Sequence, residues 1–298
     1  MAPARIKPQG IFEIYTDFKK RQLYTKSLAN STESHFGERI IKDGGKVYRA
    51  WDAKRSKLAA YVLKGSPNTG IREGSVVLYL GASHGNTPSY VSDMVGKEGF
   101  VFCLDFAPRV VRDLVFLCKK RENMAPIMGD AHHPKTYADR VSEVDVVFQD
   151  IAQKDQAGIF LKNVRMFLKD GGVGLLAVKA KSINIKKDPK QIFAEVRDEI
   201  GKEFMITDMR GLEPFELDHA MIVIKKRPPV EEANKSVNTG SRRSSSRRRD
   251  DSRSSGSFKR ESSNRRDDSR NEKRSSDNNY SRRETKKPAP RTRVRRSR

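Results

Sequence analysis

Two cysteines, one tryptophan and no long apolar run set the first limits on this chain. Two thiols make neither a disulfide framework nor a four-ligand zinc site. Cys103 falls in an apolar strand pattern and Cys118 on an apolar helical face, so both read as core thiols in a reducing compartment. No apolar stretch approaches the ~20 residues needed to cross a bilayer. The opening MAPARIKPQG lacks the apolar core of a signal peptide. The expected place is therefore cytosolic or nuclear, with no membrane partner. Acidic residues are also scarce: 38 Asp and Glu face 61 Lys and Arg, a net charge of +23.

That excess is unevenly spread. Residues 231–298 hold 23 Lys and Arg against 10 Asp and Glu, and the first 230 residues remain basic at +10 without them. A basic body with a basic tail points to a polyanion, most simply a nucleic acid. Pro228-Pro229 marks a boundary. Beyond it, segments such as SRRSSSRRRDDSRSSGSFKR hold almost no apolar residue to offset ordering entropy, so residues 229–298 read as a disordered, Arg/Ser-rich basic tail that adds salt-sensitive affinity.

The body divides in two. Residues 1–55 hold short extended pieces, GIFEIYT, RQLYTKSL and KVYRAW, separated by turn residues such as Asp43-Gly44-Gly45. They predict a small β-rich lobe. Residues 56–228 alternate between strand and helix. A short helix in RSKLAAYVLKG comes first. Strand VVLYLG precedes a helix at 87–95, with Thr87 placed to cap it, Pro88 in its first turn and Gly96 ending it. Strands FVFCLDF, APIMGD and VDVVFQDI follow, with helix PRVVRDLVFLCKKR after the first. A helix is predicted over 156–172, then strand VGLLAVKA, then a helix entered through Asp188-Pro189. Strands FMITDMRG and DHAMIVIKK close the chain as an antiparallel end. This pattern predicts an α/β, doubly wound, mostly parallel sheet, whose ligand lies at the C-terminal strand edges.

Polar residues gather at those edges. The first strand of this sheet runs into Gly81-Ala82-Ser83-His84-Gly85-Asn86-Thr87, the next ends in Asp105-Phe106, then Asp130-Ala131, then Asp150-Ile151-Ala152-Gln153, and the fifth near Lys179. Asp105 lies 24 residues beyond Gly81, close to the spacing at which an acid accepts from ribose hydroxyls. That spacing suits a nicotinamide dinucleotide too, as in a dehydrogenase. The turn GASHGNT, however, does not match the G-x-G-x-x-G that a pyrophosphate requires. A ligand with ribose and adenine but no phosphate fits better, and S-adenosylmethionine is one. The edge then assigns methionine to the turn, ribose to Asp105, adenine to Phe106 and Asp130-Ala131, and the sulfonium side to Asp150. His132-His133 invites a metal, but adjacent residues rarely chelate one ion, and none is expected.

YLGASHGNTPSYVSDMVG, DFAPR, GDAHHP, VDVVFQDIAQKDQ, FLKDGG, VKAK and LEPFELDHAMIV, together with GERIIKDGGKVYRAWDAKRSKLAAYVLKG, resemble the fibrillarin family across roughly residues 10–228. The resemblance implies a Rossmann-like, S-adenosylmethionine-dependent methyltransferase sheet with an antiparallel last strand, behind a small N-terminal β lobe. It implies ribose 2′-O-methylation of pre-rRNA, with tRNA as a further substrate. The enzyme would be the catalytic subunit of a box C/D guide-RNA particle, beside a Nop-domain scaffold protein and a kink-turn-binding protein. The guide would choose the target. The alternative is a subunit of such a particle that binds RNA without catalysis.

Related RNA 2′-O-methyltransferases use a Lys-Asp-Lys-Glu set, and the matching positions here are Lys57, Asp150, Lys179 and His219, with histidine in place of glutamate. The cofactor set implied is Gly81, Ala82, Ser83, Asn86, Thr87, Asp105, Phe106, Asp130, Ala131, Asp150, Ile151, Ala152 and Gln153. The chain departs from the family at His84 and Asn86 in the glycine turn and at Asp105, where glutamate is usual. Its short N-terminus resembles archaeal members, implying the cytoplasm, whereas a eukaryotic source would imply the nucleolus.

Overall fold

The computed structural model describes residues 6–17 and 22–227. The predicted boundary at Pro228-Pro229 and the basic tail lie outside the described residues.

Strands β1 (Lys7–Pro8), β2 (Ile14–Asp17), β3 (Gln22–Lys26), β4 (Ile40–Asp43) and β5 (Lys46–Trp51) form an antiparallel sheet ordered β1-β2-β3-β5-β4. β4 and β1 are the edges, and neither was evident in the sequence. β1 is two residues long, and β4 is half-buried without alternation, so neither shows a period of two. β4 and β5 meet at a two-residue turn, Gly44-Gly45, with Asp43 opposite Lys46.

Helix α1 (Lys57–Leu63) follows, capped by Ser56, whose hydroxyl accepts from the Ala59 amide. A seven-stranded sheet is then built from β6 (Val76–Leu80), β7 (Phe100–Asp105), β8 (Met124–Met128), β9 (Val144–Gln149), β10 (Leu168–Lys179), β11 (Met205–Gly211) and β12 (His219–Lys225). Its order is β11-β12-β10-β9-β6-β7-β8. β8, β7, β6, β9 and β10 are parallel, and β12 runs antiparallel between β10 and β11. The antiparallel end predicted from the sequence is therefore a wedge: β12 is inserted, and its first residue arrives at the edge where the parallel strands end.

The strands connect through α2 (Asn86–Val95), α3 (Pro108–Cys118), α4 (Gln156–Phe167), α5 (Ala180–Ile183) and α6 (Pro189–Gly201). The crossovers leave β6 in opposite directions, toward β7 and toward β9, so the switch point lies between β6 and β9. Asp188 caps α6 as predicted, accepting from the Lys190 amide at 2.7 Å. Two helix limits differ from expectation. α4 stops at Phe167 rather than 172, because Leu168 already pairs with Val144 and the Gly171-Gly172 pair that follows favours an irregular strand over a helix. α2 begins at Asn86 behind Gly85, not behind Thr87, and the Thr87 hydroxyl is spent elsewhere.

Apolar side chains fill both faces of the large sheet. One core, including Tyr79, Val91, Phe148 and Leu175, extends without a break to Leu23 and Trp51 of the small sheet. The other packs Leu78, Leu104, Phe160 and Ile222 under α4 and α6. The end of β6 is thus held from both sides, which fixes where the glycine turn emerges.

Candidate active site

The ends of β6, β7, β8 and β9 enclose a cavity of about 290 Å³. Gly81 and Ser83 line it from the turn, and Asp105 and Phe106 from the next strand end. Asp130 and Ala131 follow β8, and Asp150, Ile151, Ala152 and Gln153 follow β9. Ten of the thirteen residues assigned to the cofactor from sequence therefore converge. Leu104, Gly129 and His132 join them and were missed. The sequence offers His132 only as a metal ligand, yet its amide and its Nδ1 lie at 2.9 and 3.0 Å from Asp130 Oδ1. Among the described residues, no group of three His, Cys, Asp or Glu is placed to hold a metal.

The wall is mixed in the way an adenosine requires. Leu104, Phe106, Ala131 and Ile151 give an apolar slot, and Phe106 presents an exposed ring. Three carboxylates rim it. The Asp105 carboxylate also shapes the turn: Oδ2 accepts from the Ser83 amide at 2.8 Å and Oδ1 from the Ala107 amide at 3.1 Å. Each oxygen keeps a lone pair for a ribose hydroxyl. Amide hydrogen bonding from His132 holds the Asp130 carboxyl below its ordinary value. Gly81 packs against the start of the Asp150 segment, where a Cβ would meet Asp150 O at 2.3 Å. The residues present thus fit S-adenosylmethionine: an apolar slot, acids for ribose and amine, and a carboxylate for a cationic sulfur.

Ala82, Asn86 and Thr87, also assigned to the cofactor from sequence, do not line this cavity. Ala82 is buried. Asn86 Nδ2 donates to Arg55 O at 3.1 Å, and Thr87 Oγ1 donates to Ser56 Oγ at 3.1 Å.

Beside the cavity, the expected catalytic set falls into two pairs, Lys57 with Asp150 and Lys179 with His219, and the His219 ring feels the charges of the first pair. Lys57 Nζ lies 2.9 Å from Asp150 Oδ1 and 3.2 Å from Oδ2, both side chains about one-fifth exposed. Lys179 ends β10 directly opposite His219, which begins β12. His219 Nδ1 donates to Leu217 O at 2.6 Å, which assigns the tautomer and leaves Nε2 with a free lone pair. Burial lowers the His219 pKa first; the Leu217 carbonyl works against it, the Lys57 ammonium with it, and Glu216 and Asp150 against it. The imidazole is therefore neutral near pH 7.

Sequence reasoning also missed Gln156. This fully buried amide accepts from the Lys179 amide at 2.9 Å and donates to Lys179 O at 3.0 Å and to Gln153 O at 2.9 Å. It joins the end of β10 to the loop after β9. An uncharged side chain at a helix start carries no chemical signature in sequence, so only the geometry reveals it.

A sequence model of the family Fibrillarin matches residues 4–228. The chain belongs to the fibrillarin family. The fibrillarin-like rRNA/tRNA 2′-O-methyltransferase of Thermococcus gammatolerans is 44% identical over 217 residues, covering 73% of this chain and 96% of that protein. The fibrillarin of Aeropyrum pernix, solved with natively bound S-adenosyl-L-methionine, superposes with a TM-score of 0.68 at 37% identity, over 75% of this chain and all of that one. A fibrillarin from a fibrillarin/Nop5p complex gives 0.65 at 35% identity, over 72% and 98%. The fibrillarin fold, a small antiparallel sheet ahead of a methyltransferase sheet, is thus the fold of this chain. No helix among the described residues is long and apolar enough to cross a membrane.

Proposed function

We propose that this chain is an S-adenosylmethionine-dependent RNA ribose 2′-O-methyltransferase, the catalytic subunit of a guide-RNA particle that modifies rRNA and tRNA. The observation that carries the reading is the junction of two features at one sheet edge. An adenosine-shaped slot rimmed by Asp105, Asp130 and Asp150 abuts the Lys57–Asp150 pair, Lys179 and His219. A dehydrogenase would need a phosphate-cradling turn that this edge lacks.

S-adenosylmethionine supplies an electrophilic methyl group on a sulfonium. The chain's task is to hold a ribose 2′-hydroxyl in line with it and to manage one proton. Asp150 presents negative charge toward the cationic sulfur and fixes Lys57. The Lys57 ammonium orients the 2′-oxygen by donating to it. The neutral His219 Nε2 can accept the hydroxyl proton, held in that tautomer by Leu217 O. Lys179, whose backbone is pinned by Gln156, supports the developing negative charge on the attacking oxygen. The presence of this whole set favours an enzyme over a binding subunit without catalysis. Arg39 and Arg55 line a separate cleft of about 260 Å³ together with Glu38 and Asp52; neither arginine forms a salt bridge among the described residues, which leaves two cations for an RNA backbone.

The known complex of a fibrillarin with Nop5p supports a Nop-domain scaffold as partner here. A kink-turn-binding protein and a box C/D guide RNA complete the particle we propose, with target choice set by the guide. The test is reconstitution with scaffold, kink-turn protein and guide, followed by mapping of 2′-O-methyl groups on a target oligonucleotide. A single methylated ribose at the guide-specified position is expected. Tight cofactor binding without transfer would favour the non-catalytic reading.

A further inference from the structure

Two loops adjoin the Lys179–His219 pair. One, residues 180–188, begins directly after Lys179 and runs through α5 to the start of α6. The other, residues 212–218, leads from β11 to His219. They are bonded to each other: the Ala180 amide donates to Asp218 O at 3.1 Å, and Lys181 Nζ lies 3.8 Å from Asp218 Oδ2. Each presents an aliphatic side chain to solvent. Ile185 is 72% exposed and Leu217 68%, more than any other large apolar side chain among the described residues. A lone exposed aliphatic needs no explanation, but two on bonded loops beside a catalytic pair do.

Charge is divided between the loops. From Lys179 to Lys190 the chain holds five lysines and one acid, and that acid, Asp188, caps α6. Lys187 pairs with Glu195 and Lys181 faces Asp218, whereas Lys186 and Lys190 form no salt bridge among the described residues. The facing loop is acidic instead, with Glu213, Glu216 and Asp218.

We propose that residues 180–190 carry the phosphates of the target strand next to the methylated ribose, through Lys186 and Lys190, while Ile185 and Leu217 pack on the uncharged faces of its sugars and bases. The proposal rests on the reading of the chain as an RNA ribose methyltransferase. A ribose presented to Lys179 and His219 brings a phosphate on each side, and at least one must cross the loops that adjoin the pair. Repulsion from the acidic loop leaves the lysine loop as the phosphate side. Leu217 stands on the acidic loop, so its contact is with the uncharged part of a nucleotide. None of the four side chains reads sequence: an ammonium is a point charge, and an aliphatic group has no hydrogen bond to offer a base edge. That suits a target chosen by pairing with a guide. A partner protein is the other occupant such loops could take, and the unpaired lysines favour the polyanion over it.

The experiment reconstitutes the full chain with scaffold, kink-turn protein and guide, on a target RNA carrying 4-thiouridine on both sides of the methylation position. Irradiation should join the target to peptides that hold Ile185 or Leu217. Cross-links confined to other peptides would overturn the proposal. Rates are read by single turnover at saturating target and cofactor. Ile185→Ser/Leu217→Ser and Lys186→Ala/Lys190→Ala should each lower the rate at least fivefold, with the S-adenosylmethionine Kd on calorimetry within twofold of wild type. Only the lysine variant should flatten the salt dependence of the rate. Lys186→Arg/Lys190→Arg, which keeps both charges, should restore rate and salt dependence. Wild-type rates in both double variants would overturn the proposal. Weaker scaffold affinity in either, without cross-links at these loops in the wild type, would overturn it too and give the surface to the protein partner. A wild-type particle that transfers no methyl group would refute the enzymatic reading instead. The cross-links need no catalysis and would still decide where the strand lies.

Discussion

Gly81 stands where two strand ends touch, and replacing it with alanine tests whether that contact builds the site. Gly81 has φ of +84°, and a Cβ there would lie 2.3 Å from Asp150 O and 2.8 Å from Ile151 Cγ2. Ordinary heavy-atom separations begin near ~3.5 Å, so the Asp150 segment must retreat by about 1 Å. It cannot do so freely, because the Asp150 amide donates to Leu80 O at 2.9 Å. Left-handed backbone costs an L-residue about 1–2 kcal/mol, and overpacking adds about 1–3 kcal/mol. Gly171 supplies the control: its φ is +77°, yet nothing lies within 4 Å of a Cβ there. Gly171→Ala should therefore lose only the backbone part. At ~2–4 °C per kcal/mol for a domain of this size, Gly171→Ala should lower Tm by about 4 °C and Gly81→Ala by about 10 °C. Only Gly81→Ala should also weaken S-adenosylmethionine binding, by tenfold or more on calorimetry, because Asp150 and Ile151 both line the cavity. Equal melting shifts would refute the close-contact argument. A large shift with unchanged cofactor affinity would separate Gly81 from the site.

Lys179→Ala and Asp150→Ala should each lower the single-turnover rate by ~10²-fold or more, with Asp150→Ala alone weakening the cofactor, as titration calorimetry will show. Asp105→Ala should cost about 1.5–3 kcal/mol of cofactor affinity, the worth of hydrogen bonds to a charged group; an unchanged Kd in a folded variant would remove Asp105 from the ribose. Since burial lowers the His219 pKa, the imidazole is neutral at pH 7 and gains a proton only below its ordinary value of 6.5, so methylation should fall as pH drops through that range. His219→Gln should be slow throughout and should lack this acid limb. Truncation after Arg227 removes a net +13; RNA affinity should drop and its salt slope flatten, while Tm and cofactor affinity stay fixed.

The doubly wound sheet was legible because its strands are continuous apolar runs separated by helices with one apolar face, and those periods depend on composition alone. The acids at the strand ends were legible because parallel topology delivers every strand end to one edge. Lys57 and His219 came only from resemblance, since neither sits at the end of a parallel strand. One enters from α1, the other from the start of an inserted antiparallel strand. Asn86 and Thr87 were assigned by position in a turn, and that their side chains reach Arg55 and Ser56 could not be read there, because sequence does not say which way a turn's side chains face. Gln156 and His132 were missed for the same reason: each matters through one hydrogen-bonded neighbour, and such pairings form only once the chain has folded.

The small N-terminal sheet also bears on the site, through charge buried beneath it. Arg49 of β5 is fully buried, and its guanidinium meets Asp93 Oδ2 at 2.7 Å, Ser89 Oγ at 2.9 Å and Glu38 Oε1 at 2.8 Å. Asp93 also accepts from Arg121 at 2.9 Å, from Thr25 at 2.7 Å and from the Leu28 amide at 3.0 Å. Burial pushes Glu38 upward, but the Phe36 amide and the Arg49 guanidinium overcome it and hold the carboxyl at about 2. Buried ion pairs add little net stability, because desolvation offsets their attraction, yet one left unpaired is strongly unfavourable. Their effect is therefore on geometry: any rotation of α2 would strand a charge. Ser89 and Asp93 lie four residues apart on one face of α2, and Arg49 binds both. The rotation that satisfies Arg49 is the same rotation that turns Asn86 and Thr87, at the helix start, toward Arg55 and Ser56. The small sheet thereby sets the orientation of the helix whose first residues hydrogen-bond Arg55 and Ser56, although it contributes no side chain to the cofactor cavity.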